Sequence, residues 1–188
     1  NLRSSGLVNI SSATDGQVFT GTGAGLPVGF EAAAGGGKIL QVPTPLYKTD
    51  SFTTSSTSYV DVTDVTLDIT PSATSSKVMI FLHLLISPSA SGHPIFAQFL
   101  RDSTVIGSGT GSSNEDCFAS AQPVTDGNRQ GWSADLMWLD APSTTDAVTY
   151  KLQVRMYGAS AGYVGRSSSV HIYAGDYATS LTLMEIGA

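Results

Sequence analysis

Residues 78–86 read Val-Met-Ile-Phe-Leu-His-Leu-Leu-Ile, and no other stretch restricts the fold as much. In an extended chain successive side chains point to opposite sides. Val78, Ile80, Leu82, Leu84 and Ile86 then form one face, and Met79, Phe81, His83 and Leu85 form the other. An antiparallel strand with one wet side carries polar residues at alternate positions. Here both sides need cover. An opposing sheet supplies one. For the second, a loop or the amino-terminal arm of the same chain is the plain candidate. A subunit interface is the sharper one, because apolar faces left open mark contact surfaces. Met79, Phe81, His83 and Leu85 are therefore the expected interface residues. The run is interrupted by His83 and falls far short of the ~20 apolar residues that a spanning helix needs, so no membrane insertion is expected.

The surrounding text also reads as strands. Val65-Thr-Leu-Asp-Ile-Thr70 alternates strictly and stops at Pro71-Ser72, as a strand entering a turn should. Tyr150-Lys-Leu-Gln-Val-Arg-Met-Tyr157 turns Tyr150, Leu152, Val154 and Met156 one way and Lys151, Gln153 and Arg155 the other. Further strands are predicted over 77–86, 95–101, 117–122, 132–139, 170–173 and 180–186, with shorter ones at 39–42 and 59–62. Turn-rich clusters at 87–92, 107–114, 126–128, 141–146 and 158–162 separate them. Beyond residue 38 there is no amphipathic helical period, and no repeat of fixed length. Short strands spaced by turns predict an all-β sandwich, a jelly-roll-like knob over 38–188. Residues 1–37 hold nine of the 20 glycines and show no sustained pattern. They are expected to be an extended Gly/Ser-rich linker or docking arm without its own core.

Charge and chemistry narrow the function. Charged residues make up 13% of the 188 residues, and the formal net charge is −6. The nine basic residues are scattered with no two adjacent, which argues against a phosphate-backbone binder, so no nucleic-acid partner is expected. Cys117 stands alone, so no disulfide closes within the chain. Its neighbours Glu115 and Asp116 are expected to raise its pKa rather than activate it. No basic segment followed by an apolar stretch announces a secretory signal. Starting at Asn1, the chain is expected to be a piece of something longer or a processed product.

Gly21-Thr-Gly-Ala-Gly25 lacks the spacing of a dinucleotide loop, Gly37-Lys38 is followed by Ile39, and no G-x-S-x-G or H-E-x-x-H occurs. His83, His93 and His171 are isolated, so neither a metal nor a cofactor is expected. Asp61, Asp64 and Asp68, and Asp135 with Asp140, were they paired in space, would have the equipment for glycoside cleavage. With three Glu in the whole chain, solvated strand-face carboxylates are the expected reading. The Asn9-Ile-Ser11 sequon is a weak match. Late aromatics offer a better lead. Tyr157, Tyr163, Tyr173 and Tyr177 fall near Arg166 and, more distantly, Trp132. Tyr157 and Tyr173 are expected to pack along strands, which leaves Tyr163 and Arg166 as the candidate surface-binding pair.

Several segments carry a resemblance. Lys48-Thr-Asp-Ser-Phe-Thr-Thr-Ser-Ser-Thr-Ser-Tyr-Val-Asp-Val-Thr63 and Leu67-Asp-Ile-Thr-Pro-Ser-Ala-Thr-Ser-Ser-Lys-Val78 are similar to the carboxy-terminal module of many tailed-bacteriophage fibre proteins. The similarity continues in Leu100-Arg-Asp-Ser-Thr-Val-Ile-Gly107, Leu139-Asp-Ala-Pro-Ser-Thr-Thr-Asp-Ala-Val-Thr-Tyr-Lys151 and Ser180-Leu-Thr-Leu-Met-Glu-Ile186. Asp15-Gly-Gln-Val-Phe-Thr-Gly-Thr-Gly-Ala-Gly25 resembles the linker before such modules, although Phe30 stands where that linker often has Trp. The resemblance implies a non-enzymatic virion protein assembled in the host cytoplasm. It would be a homotrimeric tail-fibre or receptor-binding knob that contacts a host cell-surface glycan or protein. Residues 1–37 would dock onto other virion proteins. A head decoration or capsid fibre is the related alternative, and a carbohydrate-cleaving tail enzyme a more distant one. No catalytic residues are shared across that family to carry over.

Overall fold

In the computed structural model the chain divides into two compact units, Asn1–Gly37 and Lys38–Ala188. Residues 38–109, 116–122, 131–168 and 175–187 are described, together with the backbone of 17–20 and 29–32. In the first unit β1 (Gln17–Thr20) pairs antiparallel with β2 (Gly29–Ala32), placing Phe19 opposite Phe30. Sequence reading assigns no element here, since four residues per strand are too few for alternation to stand out. The Asn9 sequon, the glycine stretches at 21–25 and 35–37, and the strand expected at 170–173, with His171 and Tyr173, lie outside the described residues.

The second unit is all-β, with no helix among the described residues. Its strands are β3 (Ile39–Gln41), β4 (Leu46–Lys48), β5 (Phe52–Thr54), β6 (Val60–Ile69), β7 (Lys77–Pro88) and β8 (Ile95–Arg101). Then come β9 (Thr104–Ile106), β10 (Ala119–Ala121), β11 (Trp132–Asp140), β12 (Val148–Met156), β13 (Gly162–Val164) and β14 (Thr179–Ile186). The smaller sheet runs β10-β8-β12-β6, with β9 hooked onto β8; the larger runs β3-β14-β7-β13-β5, with β11 beside β7 and β4 beside β14. Consecutive long strands alternate between sheets: β6, β8 and β12 lie in one, β7, β11 and β14 in the other. This is the two-sheet antiparallel sandwich that the alternation predicts.

The core lies between the sheets. Val78, Ile80, Leu82, Leu84 and Ile86 of β7, with Leu181 and Leu183 of β14, meet Phe99, Leu152, Val154 and Met156 from the other side, all buried. Burial along β12 alternates without a break, as Tyr150 to Met156 predicted. Tyr150 and Phe99 stack with ring centroids 6.2 Å apart. Each such side chain contributes about 1.5–3 kcal/mol by leaving water.

Two local features shape the sheets. In β6 both Val62 and Val65 are buried although three residues apart, an odd spacing that a regular strand would split between faces. A bulge resets the phase: the β6–β12 register shifts between Lys151 and Gln153, and Asp64 takes φ 62°. At the exit of β13, Gly165 has φ 78° and hydrogen-bonds Leu85 O through its N–H at 2.9 Å. A Cβ there would sit 3.1 Å from the Tyr177 carbonyl oxygen.

Candidate functional site

Among the described residues no strand covers the second face of β7, where Phe81 and His83 are exposed. β14 pairs with β7 along Lys77–His83 and β11 along Val78–Ile86, so the two flank it on opposite edges. Strand register lines their outward residues into rows. Met184, Met79 and Leu139 form one row, and Thr182, Phe81 and Met137 the next. Tyr47 of β4, Ser180, His83 and Asp135 form a third, followed by Leu85 and Ser133. Phe81 is 40% exposed, Met137 72% and Leu139 45%; Met79, Leu85 and Met184 are half-buried. The result is an apolar sheet face with a shallow depression bordered by Phe81, His83, Asp135, Met137 and Thr182.

The four residues expected at an interface, Met79, Phe81, His83 and Leu85, thus share one outward face. Sequence reading missed that β11 and β14 extend it. Met184 alternates with the buried Leu183 and Glu185, but Leu136-Met-Trp-Leu139 is apolar at every position, so only pairing shows which of its faces joins Phe81. Trp138, opposite Ile80 in the register, is 43% exposed at the edge strand β11.

At the middle of the face His83 Nδ1 lies 2.6 Å from Asp135 Oδ1. The Ser133 hydroxyl lies 3.4 Å from Asp135 Oδ2. The charged side chains set on this face by β7, β11 and β14 are His83 and Asp135, with Lys77 at its outer end.

Tyr163 and Arg166 are brought together at the other end of β7. Tyr163 lies opposite Ser87 in the β13–β7 register, and the Arg166 guanidinium sits 4.4 Å from its ring centroid. Tyr157, expected to pack along a strand, instead lies just past the end of β12 and is 64% exposed. The expected pairing of strand and side chain fails because β12 ends at Met156. Tyr177 is 48% exposed, and Trp132 packs against the core.

The aspartates weighed as catalytic pairs each have a partner. Asp61 accepts from Gln153 at 2.6 Å and from Lys151 at 3.0 Å, and those bonds hold its carboxyl below the usual range. Asp64 lies 3.6 Å from Lys48, and Asp68 accepts the Thr149 hydroxyl at 2.7 Å. Asp140 departs from the solvated reading. It is buried, receives Arg101 Nη1 at 3.0 Å on both oxygens, and accepts the Tyr150 hydroxyl at 2.7 Å. Burial and this carboxylate push the Tyr150 phenol well above its ordinary range. The Cys117 thiol is also raised, by burial first and by Asp116 second. Among the described residues no three His, Cys, Asp or Glu side chains are grouped to hold a metal ion.

No family model matches the chain, and neither does a curated protein. Among solved structures it is similar to chains of the infectious bursal disease virus Gx strain (13% identity, TM-score 0.42) and of T=1 particles derived from infectious bursal virus (11%, 0.42). A third is from the infectious bursal disease virus Gt strain (10%, 0.39). These alignments cover 90%, 90% and 89% of this chain but 41%, 40% and 46% of the others, so the chain spans less than half their length.

Proposed function

We propose that this chain is a structural, non-enzymatic component of a tailed-bacteriophage virion: a homotrimeric tail-fibre or receptor-binding knob that meets the host surface. The observation that carries the reading is the exposed apolar face of β7, β11 and β14, with Phe81 in the row next to His83. A face of this kind is stabilised by burial against a partner. The fitting partner is another copy of the chain. The molecule carries a net charge of −6, yet the middle of this face bears one His–Asp pair, so copies meet there with least repulsion. Closed cyclic association covers such a face on every subunit. The trimer, the fibre role, the docking of residues 1–37 onto other virion proteins and the virion location follow the resemblance of residues 15–186 to phage fibre modules. The stacked Tyr163–Arg166 pair is a rigid, amphipathic contact for a host glycan or protein.

Light scattering on the full chain tests the assembly. The parent should have three times the chain mass, and Phe81→Asp should run as a folded monomer with unchanged circular dichroism. A parent that is monomeric at all concentrations sinks the reading. Labelled parent protein should also decorate host bacteria, with Arg166→Ala reducing it severalfold.

A further inference from the structure

We infer that contact between copies through this face is governed by pH, tightening when His83 is protonated and loosening when it is neutral. The inference rests on the reading of β7, β11 and β14 as a subunit interface. His83 projects from the centre of the patch, with Phe81 and Leu85 two residues away on either side of it along β7. From β11, Asp135 faces it at 2.6 Å. From β14 it meets the uncharged Ser180 and, one row on, Thr182; the Tyr47 phenol of β4 ends the same row. The free chain leaves this pair wet, at 53% and 67% side-chain exposure. Covering it by another copy removes that water.

The cost of covering depends on one proton. Histidine is the side chain whose charge changes between about pH 5 and 8. A neutral imidazole beside an ionised Asp135 leaves one uncompensated negative charge per subunit to be buried, and several copies bring several together. Burying an unpaired charge is strongly unfavourable, whereas a hydrogen-bonded opposite pair is far less so. Protonated His83 cancels Asp135 and makes the patch neutral. Association therefore takes up protons and strengthens as pH falls from 8 to 6.

Analytical ultracentrifugation of the full chain at pH 6 and pH 8, at constant ionic strength, reads this directly. The midpoint concentration for assembly should be roughly tenfold higher at pH 8 than at pH 6. His83→Gln leaves Asp135 uncompensated at both values, so assembly should be weak and flat with pH. Asp135→Asn inverts the sign: the patch is neutral at pH 8 and positive at pH 6, so assembly should be tighter at pH 8. Assembly that is equally tight at both pH values, or an Asp135→Asn variant that keeps the parental direction, overturns the pH control while leaving the interface standing. A parent monomeric throughout overturns both.

Discussion

Glu185 has no exposed surface, yet its carboxylate is fully employed. It accepts the Ser72 N–H at 2.7 Å, the Ser72 hydroxyl at 2.6 Å and Gln41 Nε2 at 2.6 Å. Burial alone would raise its pKa; these hydrogen bonds outweigh it and hold the group at about 2, against an ordinary 4.5. A carboxylate with a depressed folded-state pKa stabilises the fold above its unfolded pKa and loses that contribution as pH falls toward the folded one. Glu185 should therefore contribute stability that is present above pH ~4.5 and gone near pH ~2. Urea unfolding of the parent and Glu185→Gln from pH 6 down to pH 2 checks it. The parent's advantage should shrink across that window, and a constant difference would refute the assignment. The inward position of Glu185 was legible from its phase with Leu181 and Leu183. Its partners, which lie 113 and 144 residues earlier in the chain, were not. Asp140 hides in the same way: nothing local to it names Arg101.

At the level of the strand, β6 shows how one residue can redirect a hydrophobic pattern. Val62 and Val65 reach the same core only through the bulge at Asp64, whose φ of 62° places it in the left-handed region. Asp tolerates that region and β-branched residues do not. Asp64→Val should cost about 1–2 kcal/mol in chemical denaturation, while Asp64→Gly should stay within ~0.5 kcal/mol of the parent. Similar losses for both would mean that the Lys48 contact, not the backbone, matters. That contact is exposed on the Asp side and contributes little. Periodicity alone gives Val65, Leu67 and Ile69 as a strand and Val60 and Val62 as the end of another. The structure joins them into ten continuous residues. Strand β7 is the converse case. Its two apolar faces were evident in the text, and the structure fills one with core and leaves Phe81 exposed, with Met79 and Leu85 half-buried, on the other.

Across the whole molecule, the sandwich stands without a disulfide, and the proposed contact through the exposed sheet face would link its stability to association. If copies bind through that face, unfolding is linked to dissociation, and the melting temperature rises with protein concentration. Each tenfold dilution should lower Tm by ~3 °C at pH 6. Calorimetry over a hundredfold concentration range checks this; an invariant Tm would separate folding from assembly. By itself the sequence determined the strand class, the long strands β7, β8, β11, β12 and β14, the side of β12 that enters the core and the composition break near residue 38, because these depend on residues two apart or on local turn chemistry. Tertiary structure alone decided which strands are neighbours, that Met137, Leu139 and Met184 join Phe81, that His83 meets Asp135, and that Glu185 and Asp140 are buried and paired. Those outcomes depend on register between segments up to 144 residues apart, which no local period encodes.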